Sequence, residues 1–143
     1  MDTNEKQWEK LLKIKTGGRD DSGSDQYRYP YEPTPYSVLE RLANGGYVGK
    51  KNVLLDYGTG KGRVCFYMSY QTRCRSIGIE YDERIYAAAI DNQATAVSGR
   101  GTEFVLGNAE EYQVPAEVDR CYFFHPFSTE ILRKALSRIL DSY

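Results

Sequence analysis

Three glycines at alternate positions, Gly58, Gly60 and Gly62, follow Asp56 and form the stretch of this chain best suited to chemistry. The apolar run Val53-Leu54-Leu55 leads into them, and a helix-compatible run opens at Arg63. Strand, glycine turn and helix in that order make a corner where a ligand sits beyond the carboxyl end of the strand. Glycine suits the place because the backbone must turn sharply and let a ligand approach bare amides. The spacing is G-x-G-x-G, which fits neither the G-x-G-x-x-G of dinucleotide sites nor the G-x-x-x-x-G-K-[ST] of phosphate loops. A nicotinamide-dependent oxidoreductase is therefore the weakest reading of the corner.

Other residues add to it. Glu80 closes the run Ser76-Ile77-Gly78-Ile79. An acid about 20 residues after such a first glycine takes ribose hydroxyls, because two carboxylate oxygens match a vicinal diol. Asp56 either supports the glycine turn or holds an amino group through water. His125 is the one histidine, it precedes Pro126 and Phe127, and its titration point lies near neutrality. It is suited to act as a general base on an ammonium or hydroxyl acceptor, or simply to hydrogen-bond a loop. Cys65, Cys74 and Cys121 lack C-x-x-C pairing, so with a single histidine they offer no zinc spacing and read as reduced thiols of a cytoplasmic protein.

The elements that must position these residues follow from periodicity. A chain of 143 residues with 41% hydrophobic and 27% charged side chains is one domain with a real core. Its net charge of −1 leaves no bulk electrostatic footprint for nucleic acid, and it contains neither a membrane-length apolar run nor a signal-peptide pattern. Residues 1–26 read as a short amphipathic helix carrying Trp8, Leu11 and Leu12, then a mobile linker from Thr16 to Gln26. The helix packs on the domain or serves as a lid or partner surface. Residues 27–143 form the domain proper. Tyr27, Tyr29, Tyr31 and Tyr36 lie on a proline-stiffened extended arm, either as surface packing or as an aromatic wall beside a cofactor. Thr34 is expected to cap a helix with Pro35 at its first position and Val38, Leu39, Leu42 and Ala43 on its apolar face.

Regular alternation then predicts strand 52–57, helix 63–72, strand 76–80, helix 83–98, strand 102–106, strand 119–124 and helix 129–140. Val64, Tyr67, Met68 and Gln71 mark one side of the first of these helices. Tyr86, Ile90, Ala94 and Val97 mark the second, and Asp82 is its N-cap. The last helix shows a wide apolar face of Ile131, Leu132, Ala135, Leu136, Ile139 and Leu140. The order implies an α/β fold, Rossmann-like, with a parallel sheet, helices on both faces and right-handed crossovers.

D-x-G-x-G-x-G resembles motif I of the class I S-adenosylmethionine-dependent methyltransferases, over about residues 27–140. That resemblance implies strand order 3-2-1-4 and S-adenosylmethionine as cofactor. The cofactor would contact Tyr31, Asp56, Gly58, Thr59, Gly60, Gly62, Glu80 and Tyr81. It implies that Asn108 or Glu110 reads the adenine amino group, with the Ala109 amide at a ring nitrogen. His125-Pro126-Phe127 resembles motif IV, which in enzymes acting on nitrogen often reads Asn-Pro-Phe, and His125 departs from that asparagine. The implied activity is methyl transfer to an amino or hydroxyl acceptor, on a protein lysine or a small molecule. A non-catalytic S-adenosylmethionine-binding module is the alternative. The family has seven strands and four are readable here, so the chain is expected to be truncated at its C-terminus. Pairing of the strand 4 edge in a homodimer, or a naturally reduced domain, would also account for the shortage.

Overall fold

The computed structural model describes residues 3–18, 32–123 and 129–142. Its elements run α1 (Thr3–Leu12), α2 (Tyr36–Asn44), β1 (Val53–Tyr57), α3 (Arg63–Thr72), β2 (Arg75–Glu80), α4 (Glu83–Thr95), β3 (Thr102–Leu106), β4 (Arg120–Phe123) and α5 (Thr129–Asp141). The strands form one parallel sheet, as the alternation predicts, in the order β3-β2-β1-β4 that the resemblance implies.

Alternation along β1 divides the core between the two faces of the sheet. Leu54 joins Val64, Phe66, Met68, Leu39 and Leu12 on the side of α1–α3. Leu55 and Tyr57 join Ile77, Ile79, Val118 and Ile131 on the side of α5. Asp56 shares the parity of Leu54, which turns a carboxylate toward the α3 side at the carboxyl end of the sheet.

Several expectations are corrected at their edges. α2 begins at Tyr36, with Pro35 at the cap and no side-chain cap bond. Thr34 does not cap it. Its hydroxyl instead pairs with the Tyr122 hydroxyl at 3.2 Å, and Glu5 Oε2 on α1 accepts from Tyr36 N at 2.9 Å. Val38, placed on the apolar face of that helix, is exposed. α3 is buried over Arg63–Ser69, on more than one side, because the sheet and α1–α2 enclose it.

α4 ends at Thr95 and buries Ile85, Ala89 and Asn92, leaving the predicted Ile90 and Val97 exposed. Asn92 wins the inward position because its amide is fully used. Nδ2 donates to the carbonyls of Lys15 (3.1 Å) and Lys61 (3.0 Å), and Oδ1 accepts from Lys15 N at 2.9 Å. Asp82 caps α4 as predicted, accepting from Ile85 N at 3.0 Å. β4 starts at Arg120, since Asp119 is engaged with Asn52 Nδ2 and Val53 N, each at 2.9 Å. Leu136 and Leu140 of α5 are exposed, so its buried face is narrower than the sequence suggested. β4 pairs only with β1 among the described residues.

α1 packs on the domain through Trp8, which lies against the Tyr36, Tyr67 and Tyr70 rings, and through fully buried Leu12. The expected mobile stretch does not begin at Thr16. That residue is 0% exposed, and Glu9 accepts from both its amide (2.5 Å) and its hydroxyl (2.8 Å).

Candidate functional site

The glycine corner is built from left-handed backbone. Gly58, Gly60 and Gly62 have φ of 71°, 59° and 96°, a region that L side chains avoid. Thr59 N donates to Ile79 O at 2.9 Å and Gly62 N to Thr59 O at 3.0 Å, so the turn is tied both to β2 and to itself. The Thr59 side chain lies over the Cα of Gly78. A Cβ at Gly78 would overlap Thr59 Oγ1 and meet Thr59 Cβ at 2.7 Å. Gly78 was not singled out from sequence, although a glycine inside a strand often signals such an approach.

Glu80 faces the mouth of the corner. Oε1 accepts from Gly60 N at 2.8 Å and Oε2 from Asp82 N at 2.9 Å, leaving each oxygen a further lone pair for hydroxyl donors. Burial pushes its pKa above the usual carboxylate range, against the amide bonds that lower it. Tyr81, beside it, is exposed.

Asp56, only 3% exposed, lines a narrow cavity with Gly58, Thr59, Arg63, Thr34 and Tyr122. Its Oδ2 is buried without a hydrogen-bond partner. Burial raises its pKa to about 8, a Thr59 hydrogen bond opposes the rise, and the Glu80 charge adds to it. Arg63, 2% exposed, reaches the same cavity from the first residue of α3. Nε donates to Thr16 Oγ1 (2.8 Å), and Nη1 to Glu5 Oε1 (2.6 Å) and Thr34 O (3.0 Å). Its guanidinium carbon sits 4.2 Å from the Tyr36 ring centroid, while Nη2 is buried with no partner. No sequence signal marked Arg63, since an arginine opening a helix ordinarily reads as surface.

Asn108 follows β3, its Nδ2 donating to Glu111 Oε2 at 3.4 Å and its carbonyl accepting from Glu111 N and Tyr112 N at 3.1 Å. Ala109 packs its side chain into the core on the α5 side. Gly107 N donates to Glu80 O at 3.0 Å, which brings this loop to the same end of the sheet as the glycine corner. Tyr31, His125, Pro126 and Phe127 lie outside the described residues. Cys65 and Cys74 are buried, and burial pushes both thiols above their ordinary range. Among the described residues no three His, Cys, Asp or Glu side chains are grouped to hold a metal, and no helix is long and apolar enough to cross a membrane.

No protein-family model matches the chain. It is 28% identical over 113 residues to a protein-lysine N-methyltransferase of Saccharolobus islandicus, covering 78% of this chain and 70% of that protein. Among solved structures it resembles an RNA methyltransferase from Salinibacter ruber in complex with S-adenosyl-L-homocysteine. The identity is 29% and the TM-score 0.58, over 62% of this chain and 57% of that one. A putative S-adenosylmethionine-dependent methyltransferase from Methanococcus maripaludis shares the fold, with 16% identity and a TM-score of 0.59 over 71% of this chain and 48% of that one. The chain thus spans little more than half of the Salinibacter protein and about two thirds of the Saccharolobus one. With its β3-β2-β1-β4 sheet, its left-handed glycine corner and the acid that closes β2, the chain is similar in fold and in sequence to S-adenosylmethionine-dependent methyltransferases of class I.

Proposed function

We propose that this chain binds S-adenosylmethionine at the corner between β1 and α3 and transfers its methyl group to an amine. The observation that carries the reading is the 2.8 Å bond between Gly60 N and Glu80 Oε1, which sets a carboxylate beside a bare-backbone turn at the carboxyl ends of adjacent strands. Glu80 has the acceptor geometry for the two ribose hydroxyls. Asp56 has an unpartnered buried oxygen for a cationic head. Asn108 or Glu110, in the loop after β3, is the candidate for the adenine end, and these features together support the reading.

Bound there, the cofactor supplies a methyl group on a positively charged sulfur, open to attack by a lone pair. The chain's own contribution is orientation, because an in-line displacement gains most of its rate from placing the reactants. The glycine corner holds one partner without side chains in the way, and His125-Pro126-Phe127 would position the acceptor at the end of β4. An acceptor amine must be neutral to attack, and His125 is suited to take its proton. The name of the Saccharolobus relative supports a protein lysine as acceptor. The unpaired thiols support a cytoplasmic setting.

Titration of the folded chain with S-adenosylhomocysteine tests the reading. Binding is expected, with Glu80→Ala weakening it about 10- to 100-fold, as the loss of charge-assisted hydrogen bonds predicts. No binding by a folded sample overturns the proposal. Binding without turnover on any lysine peptide or small amine would assign the chain as a binding module instead.

A further inference from the structure

A groove of about 420 Å³ lies where α1, α2 and α3 meet. Trp8 and Leu11 of α1, Glu40 of α2 and Tyr67 of α3 line it, together with amide side chains that include Asn4 and Gln71. It shares no residue with the cavity of Asp56 and Arg63. Lys6, Lys10 and Arg41 belong to the same helices but line none of it, so Glu40 is the one charge in the lining.

That charge is fixed in place. Glu40 Oε1 accepts from Trp8 Nε1 at 2.9 Å and from Asn4 Nδ2 at 3.0 Å. These two donors hold the carboxyl below its usual range, so it is ionised at neutral pH. Both bonds fall on one oxygen. Among the described residues Oε2 receives no hydrogen bond, and the carboxylate forms no ion pair. The Trp8 and Tyr67 rings meet edge to face, with 4.8 Å between centroids and 74° between planes. Tyr67 is 0% exposed, and its hydroxyl is buried without a hydrogen-bond partner.

An anionic oxygen held among aromatic side chains suits an organic cation. A calcium or magnesium ion would need several oxygen ligands, and the lining offers one carboxylate. A guanidinium fork would use both carboxylate oxygens, and one of these already carries two donors. An ammonium on a flexible apolar stem needs only the other oxygen, and its methylenes can lie along Leu11 and the rings.

We propose that this groove binds the lysine side chain of a polypeptide partner, with the ammonium on Glu40 Oε2, the stem against Trp8 and Leu11, and the Tyr67 hydroxyl as a further acceptor. The proposal does not depend on the cofactor reading. It adds a docking point on the face built by α1, α2 and α3.

Trp8 is the only tryptophan of the chain, so its indole N–H gives one isolated signal in a proton–nitrogen correlation spectrum. The probe is a glycine-lysine-glycine tripeptide with blocked ends, titrated into the full chain beside the same peptide with its lysine acetylated. The indole signal should move saturably with the lysine peptide, which should bind at least about fivefold more tightly than the acetylated one. Glu40→Gln keeps an oxygen to accept from Trp8 and Asn4 while removing the charge. It should weaken the lysine peptide at least about fivefold and leave S-adenosylhomocysteine affinity unchanged. A still indole signal in the folded chain, equal affinity for the two peptides, or wild-type affinity in Glu40→Gln would each overturn the proposal. Shifts confined to the amides of Gly58, Gly60 and Gly62 would place the lysine at the glycine corner and overturn it too. None of these results touches the cofactor reading, which titration with S-adenosylhomocysteine tests by itself.

Discussion

The Thr59 side chain occupies the space where a side chain at Gly78 would stand, so the glycine corner is seated directly on β2. Its place depends on a residue 19 positions away that touches no ligand. Gly78→Ala should force Thr59 outward and move Gly58 and Gly60 with it. We expect a stability loss of about 1–3 kcal/mol from overpacking, with a loss of S-adenosylhomocysteine affinity at least as large. Denaturation and titration of the same variant check this. Full affinity in a folded Gly78→Ala chain would show that the corner does not need this seat.

Gly62 makes a contrasting case. It caps α3 at φ 96°, and a Cβ there would lie 2.5 Å from Phe66 Cε2 and 2.9 Å from Phe104 Cζ. Gly62→Ala combines left-handed strain with a clash in the core and should cost about 2–4 kcal/mol. At Gly49 a Cβ would meet nothing closer than Asn52 Oδ1 at 3.9 Å, so Gly49→Ala should stay within about 0.5 kcal/mol of wild type. Equal midpoints for the two variants in urea would contradict the packing described.

Asp56 makes stability depend on pH in a direction opposite to that of a salt-bridged acid. Its pKa is near 3.8 when solvated and is raised to about 8 in the fold by burial. The native state holds the proton more tightly than the unfolded chain. The contribution of Asp56 is thus fully present below about pH 4 and is lost progressively as pH rises to about 8. The stability of wild type relative to Asp56→Asn should fall across that window and level off above it. A cationic ligand head would draw the carboxylate into its charged form. Binding at pH 7 should then release up to about one proton, seen as a titration enthalpy that differs between buffers of unlike ionisation enthalpy. Identical enthalpies in phosphate and Tris would remove Asp56 from the ligand's surroundings.

Much of the fold was legible because local signals and burial agree along the centre of the chain. The run Val53-Leu54-Leu55, the glycines and the Asp82 cap set β1, α3 and the start of α4 where the structure has them. Glu80 was legible through its distance from the first glycine, and it does face the corner. What was not legible depends on partners far along the chain. Thr34 looked like a cap, but Glu5 supplies one from 31 residues away and frees Thr34 for Tyr122. Arg63 was legible only as the start of a helix, because nothing nearby announces that Glu5 and Thr16 will enclose it. Thr16 looked like linker because its neighbours are glycine- and aspartate-rich, yet Glu9 and Arg63 engage its amide and its hydroxyl.

Asn92 is the clearest instance of a polar residue overriding apolar periodicity, and it is open to a direct test. Its side chain joins α4 to the chain after α1 and to the glycine corner, through Lys15 and the Lys61 carbonyl. Leucine has nearly the same volume and would restore a continuous apolar stripe, so periodicity alone predicts that Asn92→Leu is neutral or stabilising. The hydrogen-bond geometry predicts the reverse. Three backbone groups would lose their partner in a site that is only 7% exposed, and stranding buried backbone groups costs about 1–3 kcal/mol each before any relaxation. Asn92→Leu should therefore lower stability by about 2–4 kcal/mol. It should also speed hydrogen exchange in residues 13–18, leaving the β2–β3 amides protected. A variant as stable as wild type, with unchanged exchange after α1, would show that helix packing alone holds the N-terminal segment against the domain.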